Sequence, residues 1–231
     1  MTPDRTPPLH DALVARLKAD LTPVRPLWAP SVRLAWWLVL AGSVIAIAME
    51  IGLRHDLATQ LRRPLYLLQL GTLLGAGTAA AGAAFRGAVP GRENRPMGYL
   101  GLVLGLLSGA VVLSEPAADA VSVGRFMESG LQCAFCVTLF GLLPWVVMLA
   151  AVARGAPLEG GATGAQAGGA AFAIGAVAVR VACPIDDPLH VLTWHMAPVL
   201  VWTALSAAVG SVWLMRWRRV ARWIPPRYGP A

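Results

Sequence analysis

Six long apolar runs, 34–53, 65–85, 97–113, 131–153, 162–182 and 189–215, constrain this chain more than any other feature. One helix needs roughly 17–25 predominantly apolar residues to cross a hydrocarbon core of about 30 Å. Within that core every backbone N–H and C=O has to be satisfied inside the segment, so runs of this length are helices. The sequence predicts an all-α fold: an integral membrane bundle of six transmembrane helices whose first partner is the lipid bilayer. Only 13% of the residues are charged and 57% are hydrophobic, where a soluble domain carries about a quarter charged. The third run is short and the sixth long, which predicts unequal tilt. The fifth is the weakest signal, because it is rich in Gly and Ala and ends on Arg180.

Orientation follows from the basic residues. Fourteen of the 19 Lys and Arg residues fall in the N-terminal tail, the second and fourth loops and the C-terminal tail, and five fall on the other side. That asymmetry predicts a multi-pass protein of a bacterial inner membrane with both termini cytoplasmic. It divides the chain into a cytoplasmic segment 1–33, a membrane domain 34–215 and a basic tail 216–231. About thirty polar and Pro-rich residues precede the first run, so it reads as an anchor and not as a signal peptide. Trp36, Trp37, Trp213 and Trp217 are expected as an interfacial belt at the cytoplasmic ends of the first and last spans. In a membrane protein the basic excess sets orientation, so it is not read as a nucleic-acid surface, which argues against direct nucleic-acid binding. Nor is there a pair of carboxylates, a phosphate loop or a Ser/His/Asp set, so the chain does not read as an enzyme. No charge sits near the middle of a span, which argues against a transporter. Stripes such as Gly101, Gly105 and Gly109, Gly71 and Gly75, and Gly164 and Gly168 predict close helix packing.

With six spans, the three cysteines share one side. Cys133 and Cys136, in "QCAFC", open the fourth span, and Cys183, in "ACPIDDPLH", follows the fifth. Facing an oxidising compartment, such thiols can form a disulfide or hold a soft metal ion; small buried cysteines also serve simply as packing. Arg180 either lowers a thiol pKa, snorkels to the interface, or pairs with Glu50 at the outer end of the first span. His190 and His195 lie just beyond Cys183, where His190 is a candidate ligand and His195 either completes a metal site or bonds a neighbouring helix. Asp186 and Asp187 read as a Pro-flanked turn. No obligatory cofactor is expected, only a soft metal ion as a transient signal.

The N-terminal segment has another character. Leu9, Leu13, Leu17 and Leu21 recur every four residues with Val14 beside them, and Asp11, Arg16, Lys18 and Asp20 take other faces. This is an amphipathic helix of about three turns, started after Pro7 and Pro8 and stopped by Pro23 and Pro26. Its apolar face either lies on the membrane or docks into a groove on a protein, and its mixed charge favours the protein.

Together, "DLTPVRPLWAPSVRLAWWL" before the first span, a cysteine heading the fourth span followed by Pro144 and "RGAPLEGGATG", and "ACPIDDPLHVLTWH" make the chain resemble the NrsF-type anti-sigma factors, over nearly its whole length. The resemblance implies a six-span membrane protein whose cytoplasmic N-terminus holds an extracytoplasmic-function sigma factor, and two outer-side cysteines that sense heavy metal or oxidative stress. Cys133 matches the first of these and Cys183, followed by Pro184, the second; Cys136 is an addition, which leaves a three-thiol sensing site open. The residue before the second cysteine, often histidine in the family, is Ala182 here, and His190 and His195 stand where aromatic residues are expected. A competing reading is a membrane thiol-disulfide oxidoreductase using the Cys133/Cys136 pair.

Overall fold

The computed structural model describes residues 9–19, 26–116 and 122–216, which contain eight helices and no strand. They are α1 (Leu9–Ala19), α2 (Pro30–Ile51), the single turn α3 (Leu57–Gln60), α4 (Pro64–Gly87), α5 (Arg95–Leu113), α6 (Val123–Ala153), α7 (Gly160–Ala182) and α8 (Pro188–Leu214). Six of them, all but α1 and α3, are long and apolar enough to cross a membrane. Proline stands in the first turn of α2, α4, α5 and α8, where its missing N–H costs nothing and its fixed φ suits a helix. Asn94 caps α5 by accepting a 3.0 Å hydrogen bond from the Met97 N–H.

Two boundaries differ from the sequence reading. The first span begins at Pro30, so Arg33 lies inside α2, where it is buried, donates to the Ala151 carbonyl and sits 4.8 Å from the centre of the Phe85 ring. The fourth begins at Val123 instead of 131. Its 31 residues extend about 46 Å, longer than a hydrocarbon core of about 30 Å, and the polar Arg125 and Glu128 lie in its first two turns. A third correction concerns Trp37, which is 2% exposed and donates a 3.0 Å hydrogen bond to the Pro144 carbonyl. It is a core residue joining α2 to α6. Trp36 remains on the outside, and Trp217 lies outside the described residues.

The Gly/Ala-rich fifth run proves to be the centre of the bundle. In α7, 78% of the most apolar window is buried, against 61% in α4 and 33% or less in the other spans. Small residues let neighbouring backbones approach it. A Cβ at Gly164 would collide with the Ser206 carbonyl of α8, and one at Gly175 with the Val137 carbonyl of α6. On α5, Gly98 is pressed against Gln166 of α7 and Gly101 against Ala76 and Ala80 of α4, whereas Gly109 has nothing within 4 Å among the described residues. Gly175→Ala is therefore expected to cost about 1–3 kcal/mol by overpacking, and Gly109→Ala nothing comparable, as read by thermal unfolding of the protein in detergent.

The antiparallel helices give the bundle two distinct ends. At one, the start of α2 meets the end of α6 through Arg33 and Ala151; at the other, Arg54 after α2 meets Asp186 after α7.

A candidate thiol and imidazole site

Four side chains converge at the Arg54 end. Cys133 projects from α6, and Cys183 terminates α7 in an extended conformation, with Pro184 preventing the helix from continuing. Asp187 then starts α8 by accepting a 2.9 Å hydrogen bond from the His190 N–H, with Pro188 in the first turn. Residues Val191–Met196 form a π-helical turn. Its i→i+5 bonding widens the helix and brings His195 round to the side that His190 occupies.

The result is compact. The Cys133 and Cys183 sulfurs are 3.6 Å apart, Cys183 Sγ lies 3.7 Å from His190 Nε2, and one donor atom from each of Cys133, Cys183, His190 and His195 falls within 4.8 Å of the others. Cys183, His190 and His195 are buried. Among the described residues, neither ring nitrogen of His195 has a hydrogen-bond partner, although the residue is 0% exposed. The His190 and His195 rings meet edge to face at 5.4 Å, and Phe126 packs against His190 and Trp194. Trp194 in turn lies on Gly130, where any Cβ would strike the indole. The hydrogen bond from Cys133 holds the Cys183 thiol below its ordinary pKa; burial opposes this, and His190 and His195 assist it.

Cys136 shares the apolar surroundings but stands outside the four-donor group. The thiol in contact with Cys133 is Cys183, fifty residues away in sequence.

An ionic knot lies beside the thiols. Arg54, whose side chain is fully buried, donates to both oxygens of Asp56 and of Asp186 at 2.7–2.9 Å, and Gln60 donates to the same two carboxylates. Arg180 pairs with Asp186 at 2.6 Å, donates to Gln69 Oε1 at 3.0 Å and lies 4.8 Å from the centre of the Tyr66 ring. Arg180 thus pairs with Asp186 and not with Glu50, which is exposed on α2. The reason is proximity within one loop, since Asp186 follows Arg180 closely and is already held by Arg54. Only Asp187 plays the turn-shaping part expected of both aspartates.

The knot makes a pH prediction. Burial alone would raise the Asp186 carboxyl, but hydrogen bonds from Arg54 and the charge of Arg180 outweigh it and hold the group low; hydrogen bonds from Arg54 and Gln60 do the same for Asp56. A depressed carboxyl contributes stability that is complete above its unfolded value, near pH 3.9, and lost as pH falls through the lower folded value. The detergent-solubilised bundle should hold its melting temperature down to about pH 4 and lose it in stronger acid. Asp186→Asn should cost on the order of 3 kcal/mol at neutral pH and flatten that acid limb.

A cavity of about 650 Å³ opens beside the site, with His190 on its wall and Asp187, Glu128 and Arg125 around it. At the other end of the chain, α1 forms as the leucine spacing predicts. It begins at Leu9; Leu13 and Leu17 are 54% and 59% exposed and Val14 is half-buried. Leu21 lies outside the described residues.

The sequence reading missed two things. It gave Arg54 no role, because a lone arginine in a short loop carries no spacing signal. It also left His195 ambiguous, because five residues separate it from His190 and an ordinary helix would put them on different faces.

No curated protein and no solved structure matches the chain. A family profile described as "Negative regulator of sigma F" matches residues 17–217, which include all six long apolar helices, the four converging side chains and the last part of α1. The resemblance read from the sequence is thereby borne out, and the chain belongs to the NrsF family, the negative regulators of sigma F.

Proposed function

We propose that this protein is an inner-membrane anti-sigma factor. It holds an extracytoplasmic-function sigma factor through its cytoplasmic N-terminal segment, 1–33, and releases it when a stress such as a heavy metal or an oxidant acts on Cys133 and Cys183 from the periplasm. The observation that carries the reading is the 3.6 Å contact between these sulfurs. It joins α6 to the loop between α7 and α8, at the opposite end of the bundle from the start of α2. The membrane domain 34–215 carries both ends, and the basic tail 216–231 lies with the N-terminus on the cytoplasmic side.

A signal at the thiols has to cross about 30 Å of hydrocarbon. The path rests on α2, which connects the leader to the bundle and is tied at both ends. Its outer end is held through Arg54 to Asp186, three residues beyond Cys183; its inner end is held through Trp37 and Arg33 to Pro144 and Ala151 of α6, the helix that bears Cys133. A shift between α6 and the α7–α8 loop therefore acts on α2 from both sides and on the presentation of Leu9, Leu13, Val14, Leu17 and Leu21. A ligand moves this equilibrium only by its differential affinity for the two packings.

The test is co-purification of the sigma factors of the source organism with the full chain and with a deletion of residues 1–25. One extracytoplasmic-function sigma factor should be retained by the full chain and lost on deletion. Equal retention by both proteins, or by neither, overturns the reading.

A further inference from the structure

We propose that Cys133, Cys183, His190 and His195 form a four-donor site for a divalent zinc-group cation, zinc or cadmium, and that His195 is a ligand in it. The inference deepens the proposed function, resting on it for the site's role as the signal receiver, but ion binding itself is tested separately.

Three observations carry it. The first is metric. Tetrahedral zinc with sulfur at about 2.3 Å and nitrogen at about 2.0–2.1 Å places its donors about 3.3–3.8 Å apart. The Cys133–Cys183 and Cys183–His190 separations are 3.6 and 3.7 Å, and no pair of the four donors exceeds 4.8 Å. Closure round an ion therefore needs movements of about an ångström. The second is the orphaned imidazole. A buried polar group without a partner is rare and calls for a reason, and His195 has two such nitrogens at 0% exposure. The π-helical turn that turns His195 toward His190 is a local departure of the kind found at functional sites. The third is access. The cavity of about 650 Å³ reaches His190 and carries Glu128, Asp186 and Asp187 on its wall, alongside Arg125, giving a cation a polar route to otherwise buried ligands.

Two thiolates with two imidazoles suit a borderline-soft d¹⁰ ion, whereas calcium and magnesium select oxygen donors. On binding, four donor-to-metal bonds form, both thiol protons leave to solvent, and the imidazoles coordinate as neutral bases; nothing is oxidised. The site then draws α6, the end of α7 and the start of α8 together, the movement that the proposed release requires.

Co²⁺ is the probe, titrated into the reduced full-length protein in detergent, with Zn²⁺ as competitor. One equivalent should bind with the visible ligand-field absorption of a tetrahedral ion and a thiolate charge-transfer band, and Zn²⁺ should displace it. Cys183→Ser should remove about half of the charge-transfer intensity, since one of the two thiolates is lost. His195→Gln and His190→Gln should keep that band, shift the ligand-field bands and weaken binding well over tenfold; Cys136→Ser should change nothing. Wild-type affinity and spectra in both histidine variants overturn the four-donor site, as does octahedral or thiolate-free Co²⁺ in the native protein. If His195→Gln loses its helical circular dichroism, His190→Gln decides. Failure here leaves the anti-sigma reading standing provided Cys183→Ser still blocks induction in cells; persistence of induction in that variant, with Co²⁺ bound as predicted, overturns the signalling role alone.

Discussion

Replacing Cys183 by serine is expected to abolish induced release of the sigma factor while leaving the resting complex intact, and Cys133→Ser should do the same. Serine keeps the size and some hydrogen-bonding capacity of cysteine, so the packing at the end of α7 survives. What it lacks is a soft thiolate able to hold a thiophilic ion or form a sulfur–sulfur bond. The effect should be close to all or none, because switching a population from 1:99 to 99:1 takes about 5.5 kcal/mol of differential affinity. A ligand set that loses one of its two sulfurs falls well short of that. The measurement is a reporter driven by the sigma factor, with and without cadmium or a thiol oxidant, alongside co-purification of the resting complex. Full induction in both variants would show that the signal enters elsewhere.

The second large effect concerns the leader. Leu13→Asp with Leu17→Asp should free the sigma factor without any inducer. Both leucines are more than half exposed on α1, so the change costs the membrane domain nothing, whereas burial of each against a partner contributes about 1.5–3 kcal/mol. Loss of both should raise the dissociation constant about 10²–10⁴-fold, read by titration of the purified sigma factor, and turn the reporter on constitutively. A double variant that still represses would place the docking surface outside this face. The two experiments are complementary: the thiol variants should hold the proposed switch off, and the leader variants should hold it on.

The membrane architecture was legible because it rests on a repeated, length-dependent signal. Each of the six apolar runs was long enough to be recognised alone, and the ends of the third, fifth and sixth fell within about two residues of the helices. Where the reading slipped, a polar residue was the cause. Arg33 stopped the first run at 34 and Arg125 with Glu128 stopped the fourth at 131, because hydropathy registers charge but not the cation–π and carbonyl contacts that accommodate Arg33, nor the continuity of α6 as one helix from Val123. Trp37 looked like its neighbour Trp36, and only the helix's rotation decides which of the two faces α6.

The candidate site was half legible. Cys133 and Cys183 could be put at one end of the bundle by counting spans, and His190 by its nearness to Cys183. His195 needed a change of helical pitch that no residue pattern announces, and the ties of Arg54 to Asp186 join positions 132 apart. Cys136 shows the converse, because a spacing of three on one helix suggested a partnership with Cys133 while the fold supplied a nearer thiol.

The buried position of α4 and α7 bears on how the chain is built. These are the least apolar of the six candidate spans and also the two most enclosed by protein. In a half-made chain they would meet lipid with an abundance of Gly and Ala and few large aliphatic side chains, so their hold on the bilayer would be weak. α7 in particular can settle only once α6 is in place to receive Gly175 and α8 to receive Gly164. Insertion of the second half of the chain is thus a joint event of three helices, and a nascent chain halted before α8 would leave its central helix poorly retained.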